Sequence, residues 1–306
     1  MLHDLPPEIF QLILKRCNFI ALLHLRQLSL FCKNAAEVEI SIRFELDVAV
    51  DYSGLFDDCD DTKWIPMINS TRMVEFIQKY MSHLRRLSLR HAHVVLTLAD
   101  LIQLASAVPY LEALDLSQME KRPHLEKDAI LALPYFKNLK HLRLDGFVVQ
   151  ETAGRGCSHR YDIPPLHLMR NLESVQMESE YESILRMLLT LREHQTVLYK
   201  LTAIDLTAKH CSAIFPEVLI WFLHHHRSLS YIRINNALFA TSDQLRRFYN
   251  SILTLAKLKY LRLDNCTSCD RVDATLQIHF LKTLNRRGID AAGVVRSMRF
   301  DPDNNG

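Results

Sequence analysis

Two short clusters in the sequence hold residue types that bind metals or transfer electrons. Cys266 and Cys269 are separated by two residues, which is the spacing of half a zinc site or of a redox pair, but no second CxxC and no close CxxH completes the set. His224, His225 and His226 are consecutive, and three successive residues of a helix point in three directions. We therefore expect structural cysteines, histidines at an exposed helix end, and no metal site.

Other motifs of catalytic chemistry are missing from the sequence. The acidic segment Asp57, Asp58, Asp60 and Asp61 lacks the glycine and the spaced glutamate of a calcium loop, so we predict a solvated linker there. Only 7 of 306 residues are glycine, and no GxSxG, HExxH or P-loop spacing occurs. These features argue against a nucleotide-binding enzyme and against a hydrolase, and we expect no catalytic residue and no cofactor.

Charge and cysteine content exclude several classes of partner. Lys and Arg number 37 against 35 Asp and Glu, a net charge of +2, so we expect neither nucleic acid nor an acidic membrane as the partner. The 7 cysteines are an odd number spread over a long chain, which favours reduced thiols. No apolar run reaches the length of a membrane span, and the start lacks signal-peptide features. We predict a cytoplasmic or nuclear protein, or one found in both compartments.

A six-residue pattern of apolar, two variable, apolar, variable, apolar residues occurs seven times. The copies begin at Leu84, Leu111, Leu139, Leu172, Leu201, Leu229 and Leu258, with starts 27, 28, 33, 29, 28 and 29 residues apart. The alternation at the end of each copy predicts a short strand, and the segments between copies predict helices. After Ser242, for example, Leu245, Phe248, Tyr249 and Ile252 form one buried stripe.

No single unit of this kind can bury its apolar face alone, so the units must stack. The pattern resembles the leucine-rich repeat family. That resemblance implies an α/β fold, a solenoid with parallel strands on the concave side and helices on the convex side. We place the solenoid at residues 84–300, with a loop insertion at 150–165, a possible last strand at Val295–Phe300 and a polar tail at 301–306. An acidic linker and a helix at 51–83 precede it.

Residues 1–50 do not follow the repeat and predict a separate helical module. They begin Leu5-Pro6-Pro7-Glu8-Ile9, and Ile9, Leu12, Ile13 and Cys17 follow at helical spacing. With the later segment Leu22 to Lys33, this sequence resembles an F-box. The resemblance implies binding of a Skp-type adaptor, and through it a cullin-RING ligase. The residues placed at the adaptor interface are Leu5, Pro6, Ile9, Ile13, Leu14, Leu22, Leu25 and Leu28.

An F-box followed by leucine-rich repeats implies a substrate receptor of an SCF-type ubiquitin ligase, a subunit that is not itself an enzyme. Three alternatives stay open. The module is instead a helical cap on the open end of the solenoid, the solenoid is a scaffold without a ligase connection, or the chain regulates an enzyme through a rim residue such as Asn235, Asn236 or Asn265. Asparagines after a strand also have a structural use, since they form hydrogen bonds within loops.

The variable positions of the pattern predict where an unknown target protein binds. Read down the repeats, they place Tyr231 beside Tyr260 and Arg233 beside Arg262, and tyrosine and arginine are enriched at binding hot spots. Paired arginines can hold a carboxylate or a phosphate. Alternatively, nearby aspartates such as Asp205 and Asp264 neutralise the arginines, and the residues are an ordinary solvated surface.

Overall fold

The computed structural model describes residues 5–48, 68–92, 94–117, 128–145, 163–179, 181–208, 216–270, 272–293 and 295–297. The acidic segment 57–61, most of the insertion predicted at 150–165 and the tail 301–306 lie outside these residues. The chain divides into two compact units, residues 1–143 and 144–306. Within the described ranges, no helix combines the length and the apolar character needed to cross a membrane.

The first unit opens with three helices, α1 (Pro7–Arg16), α2 (Phe19–Leu28) and α3 (Leu30–Ile42). Each begins where the sequence supplies a start signal. Pro7 occupies the first helical position of α1, and the side chains of Asn18 and Ser29 cap α2 and α3 by accepting backbone N–H groups at 2.8 and 3.1 Å. The three helices lie within residues 1–50, where the sequence predicts a helical module, and are called the helical module below.

This helical module is joined directly to the repeats of the first unit. Strand β1 (Glu45–Asp47) pairs in parallel with β2 (Arg86–Ser88), so the sheet already begins within the first fifty residues. Arg43, just before β1, donates to the backbone carbonyls of Leu14 and Cys17 at 3.1 and 2.7 Å, which closes the C-terminal end of α1. The module and the first strand are therefore one packed structure.

The rest of the first unit alternates strands and helices as the repeat predicts. Its further elements are α4 (Ser70–Tyr80), α5 (Leu98–Ala107), β3 (Ala113–Leu116), a 3-10 helix (Ala129–Tyr135) and the start of β4 (His141–Asp145). Strand β2 pairs in parallel with β3. One convex segment is thus a 3-10 helix rather than the α-helix that the pattern predicts.

The second unit has the same alternation. Its elements are a 3-10 helix (Leu166–Leu168), β5 (Ser174–Ser179), α6 (Tyr181–Glu193), β6 (Ala203–Ala208), α7 (Pro216–His225), β7 (Tyr231–Asn235), β8 (Leu238–Phe239), α8 (Ser242–Leu253), β9 (Tyr260–Asp264), β10 (Thr267–Ser268), α9 (Ala274–Arg286), β11 (Asp290–Ala292) and β12 (Arg296–Ser297). Strands β5, β6, β7, β9 and β11 pair in parallel in that order. The side chain of Thr241 caps α8 by accepting the backbone N–H of Gln244 at 3.2 Å.

Leucines of the pattern form the core between strands and helices. In the last complete copy, Leu258, Leu261 and Leu263 are all buried, as are Phe248 and Tyr249 on the stripe of α8. Side chains that are large and fully buried contribute most to the hydrophobic stabilisation of such a core, at about 1.5–3 kcal/mol each. This arrangement is the leucine-rich-repeat solenoid fold.

Strand β11 pairs with β9 of the second unit, although the pattern does not reveal it. Asp290, Ala291 and Ala292 of β11 pair with Tyr260, Leu261 and Arg262, so alanine stands where a leucine is expected. Gly293 follows at φ 82°, as Asn265 follows β9 at φ 49°. The segment predicted as a last strand, Val295–Phe300, is described only to Ser297. Its strand β12 pairs with β10 in a second, three-stranded sheet rather than extending the first.

Candidate protein-binding surfaces

Helix α1 has two apolar faces. Phe10 and Leu14 point into the helical module and are buried, because α1 packs there against α3. Ile9, Leu12 and Ile13 lie on the opposite side and stay 46%, 57% and 37% exposed. Together with Arg16 and Cys17 they line a shallow, open groove. An exposed apolar stripe on a small module is a feature of surfaces that bind another protein.

Two of the residues predicted to contact the adaptor are placed in the module's own core. Leu14 is 3% exposed and Leu22 is fully buried, so neither can reach a partner. The prediction for these two was wrong because a helical stripe does not by itself say which apolar face is turned inward. Of the others, Pro6, Ile9, Ile13 and Leu28 are exposed, whereas Leu5 and Leu25 are half-buried.

The exposed surface also includes residues outside the predicted set. Leu12 lies in the α1 stripe, and Leu30 and Phe31 are exposed at the junction between α2 and α3 beside Leu28. The Phe31 ring stacks on Phe10 at a centroid distance of 5.2 Å, which ties this junction to α1. The sequence could have indicated Leu12, because it lies three residues after Ile9 and so on the same face of the helix. It could not have indicated Leu30, because whether this side chain points inward or outward depends on the packing of α3.

Polar contacts hold the helices of the module in place. The Arg26 guanidinium on α2 donates to Glu37 on α3 at 2.7 Å and to the hydroxyl of Tyr80 on α4 at 3.3 Å. It also lies 4.8 Å from the centre of the Tyr80 ring. Arg26 therefore links α2, α3 and α4. These contacts fix the position of the helices next to α1, which carries the exposed stripe.

On the strands of the second unit, the four residues predicted to bind the target lie side by side. Tyr231 is in register with Tyr260, and Arg233 with Arg262, as the column alignment predicted. The two tyrosine rings stack with centroids 4.7 Å apart and planes 6° from parallel. Burial, with a smaller effect of the Asp205 carboxylate, raises the pKa of Tyr231 above its usual value. The Tyr231 phenol is therefore neutral at physiological pH.

Both arginines of this group already hold carboxylates. The Nε atoms of Arg233 and Arg262 lie 3.2 and 2.7 Å from Asp264 Oδ2, and Arg233 Nη1 is 3.5 Å from Asp205. A hydrogen bond from the guanidinium to Asp264 raises the pKa of Arg262 further above its usual value. The neutralising arrangement weighed from the sequence is the one observed. The same cross-strand pairing occurs in the first unit between Arg143 and Asp115, at 3.5 Å.

The cysteines and histidines of the two sequence motifs differ in burial, and the buried ones contact the backbone. Cys266 is buried, with its Sγ 3.6 Å from the carbonyl oxygen of Ile234, while Cys269 is exposed. His224 and His225 are exposed, but His226 is buried and accepts the backbone N–H of Leu198 at 3.1 Å. The prediction of an exposed helix end is therefore wrong for His226. Among the described residues, no group of three or more His, Cys, Asp or Glu side chains is arranged to hold a metal ion.

The asparagines considered as rim residues serve the backbone of the repeat. Asn236 and Asn265 adopt left-handed conformations, with φ of 64° and 49°. Asn236 Nδ2 donates to the carbonyl of Ala208 at 2.5 Å, and Asn265 Nδ2 donates to Asn235 Oδ1 at 3.2 Å. Asparagine tolerates this backbone region better than most residues, so these contacts account for all three positions.

Comparison with known proteins gives structural likeness only. No family model matches the chain, and no curated protein matches it in sequence. Two of the similar solved structures are an internalin of Listeria monocytogenes, at 12% identity and a TM-score of 0.40, and a leucine-rich-repeat protein of Leptospira interrogans, at 14% identity and 0.38. Each alignment covers 74% of this chain, and 66% and 57% of the two other chains. The repeat fold itself rests on the period and strand register described above.

Proposed function

We propose that this protein is the non-catalytic substrate receptor of an SCF-type ubiquitin ligase. In this proposal the helical module binds a Skp-type adaptor, which links the chain to a cullin-RING ligase, and the strand face of the repeats holds a target protein. The observation that carries the proposal is the exposed stripe Ile9, Leu12 and Ile13, which begins at the last residue of the LPPEI segment. Receptors of this kind accelerate ubiquitin transfer by raising the effective concentration of target lysines.

The repeats supply the other half of the proposal. Stacked repeats present extended surfaces that suit protein partners, and the patch of Tyr231, Arg233, Tyr260 and Arg262 combines aromatic rings with ordered charges. Because the tyrosines stack on each other and the arginines are fixed by aspartates, little side-chain entropy is lost when a partner binds. We expect alanine at all four positions to abolish target capture; unchanged capture would place the target elsewhere.

The cap alternative has an observation in its favour. The His83 ring lies 2.7 Å from the Arg43 carbonyl, and the Arg26 guanidinium donates to the Tyr80 hydroxyl at 3.3 Å. The module is therefore in contact with α4 and with the residues that follow it. Covering the first repeat and binding an adaptor use different faces of the module. The exposed stripe supports a cap that also binds a partner over a cap alone.

Co-purification of the full chain with a Skp-type adaptor tests the proposal. We expect a stoichiometric complex that is lost when Ile9, Leu12 and Ile13 are replaced by alanine. A matched control replaces three apolar residues of comparable exposure outside the module, Leu131, Leu168 and Ile278, and should leave the complex intact. A folded, monodisperse wild-type chain that does not bind the adaptor would leave the module as a cap and the protein as a scaffold.

A further inference from the structure

Two features of the second unit set the charge that a target meets. Around the tyrosine pair, two guanidinium groups, those of Arg233 and Arg262, stand beside the carboxylates of Asp205 and Asp264 and are paired with them. The next strand, β11, adds Asp290 in register with Tyr260. The five charged groups therefore sum to −1, and the surface that looks basic in sequence is locally acidic at its C-terminal end.

Asp290 is the carboxylate of this group that is open to a partner. It is exposed, its backbone N–H bonds to the carbonyl of Lys259 at 2.9 Å, and no described residue forms an ion pair or a hydrogen bond with its side chain. Asp205, by contrast, is 8% exposed, and Asp264 is shared by two arginines. Asp290 is therefore the carboxylate of this group that can pair with a cationic group of a partner.

One face of the Tyr260 ring is available beside this carboxylate. Tyr231 covers the other face, with the two rings nearly parallel. Adjacent strands lie about 4.8 Å apart, so a planar group held above Asp290 on β11 lies at stacking distance from the outer face of the Tyr260 ring. The neighbour of Arg262 on β11 is Ala292, whose small side chain leaves this trough open. Tyr260 thus forms the wall of a trough, and Asp290 lies at its base.

We infer that this trough binds a cationic side chain of the target, an arginine before a lysine. A guanidinium is planar and stacks on an aromatic face while its N–H groups donate to a carboxylate. In the trough these two requirements are met at once by Tyr260 and Asp290. This inference rests on the target-binding part of the proposed function, and it makes the recognised segment basic rather than acidic or phosphorylated.

Titration of the full chain with labelled peptides at low salt tests this inference. The four probes are hexa-arginine, hexalysine, hexaglutamate and a serine-phosphorylated peptide. We expect the arginine peptide to bind best. Asp290→Asn and Tyr260→Leu should each weaken it about threefold to tenfold, since an exposed ion pair and a cation–π contact are each modest. Tyr260→Phe keeps the ring and should bind as the wild type does. Asp243→Asn, at an exposed carboxylate on α8, is the matched control.

Two results would overturn the inference. One is an arginine peptide that does not bind, or that binds the Asp290→Asn variant as well as the wild type. The other is tighter binding of the glutamate or phosphoserine peptide, which would restore the arginines as anion ligands. Adaptor co-purification of the same variants is the separate readout for the ligase proposal, because the helical module lies in the first unit, so failure of one claim is distinguishable from failure of the other.

Discussion

Two leucines of the helical module, subjected to the same substitution, separate stability from binding. Leu22 is fully buried in the module, and Leu12 is 57% exposed in the α1 groove. Leu22→Ala should lower the free energy of unfolding by about 2–5 kcal/mol, because it removes buried methyl groups and leaves a cavity. Leu12→Ala should change that free energy by less than about 0.5 kcal/mol, as surface substitutions do.

The effect on adaptor binding should be reversed. Replacing leucine by alanine removes about 2.4 kcal/mol of transfer free energy at about 0.8 kcal/mol per methylene-sized group. If the adaptor covers the 57% of Leu12 that is exposed, the loss is about 1.4 kcal/mol, or tenfold in the dissociation constant. Leu22→Ala should keep wild-type affinity at temperatures where it remains folded.

Denaturant unfolding and calorimetric titration with the adaptor measure the two quantities on the same samples. A Leu12→Ala chain that binds with unchanged affinity would refute the assignment of the α1 groove to the adaptor. A Leu12→Ala chain that is destabilised by several kcal/mol would refute the assignment of that face as exposed.

Three further predictions concern the fold and its pH dependence. Gly293→Ala should destabilise the chain by about 1–3 kcal/mol in thermal unfolding. A Cβ at this position would overlap the Leu263 carbonyl, and the backbone φ of 82° disfavours any side chain. An unchanged unfolding midpoint would contradict the placement of β11. Burial lowers the pKa of His226 from about 6.5 to about 4. The neutral imidazole therefore contributes about 3 kcal/mol to the free energy of unfolding above pH 6.5, and this contribution is lost as the pH falls toward 4. His226→Gln should make the free energy of unfolding fall less steeply over that range, and an unchanged slope would contradict this assignment. Arg43→Met should lower the free energy of unfolding by about 1.5–3 kcal/mol in denaturant unfolding, since it removes two charge-assisted hydrogen bonds at the end of α1. Arg72→Met, at an exposed position of α4, is the control and should cost less.

The repeat could be predicted from the sequence because leucine spacing and strand register express the same geometry. The seven patterns fell on strands, and the alignment of Tyr231 with Tyr260 was correct to the residue. The strands at both ends were missed for a physical reason. In β11, alanine and then Gly293 replace the leucines, and in β1 only Leu46 and the following Val48 keep the apolar positions.

The charge state of the candidate site could not be predicted in the same way. Position in the pattern places Arg233 and Arg262 side by side, but it does not say that one carboxylate, Asp264, holds both. Likewise, helical spacing in α1 shows that Leu14 and Ile13 are apolar, while only the packing against α3 decides which is buried. Side-chain direction and pairing depend on neighbours that are distant in sequence.

Amide hydrogen exchange of the full chain, with and without a Skp-type adaptor, tests the central claim most directly. We expect slower exchange in Pro7–Arg16 and at the α2–α3 junction around Leu28, with no change in the strands from Tyr231 to Ala292. Slowing confined to those strands, or no change in residues 5–48 at adaptor concentrations sufficient for binding, would contradict the receptor function proposed for this protein.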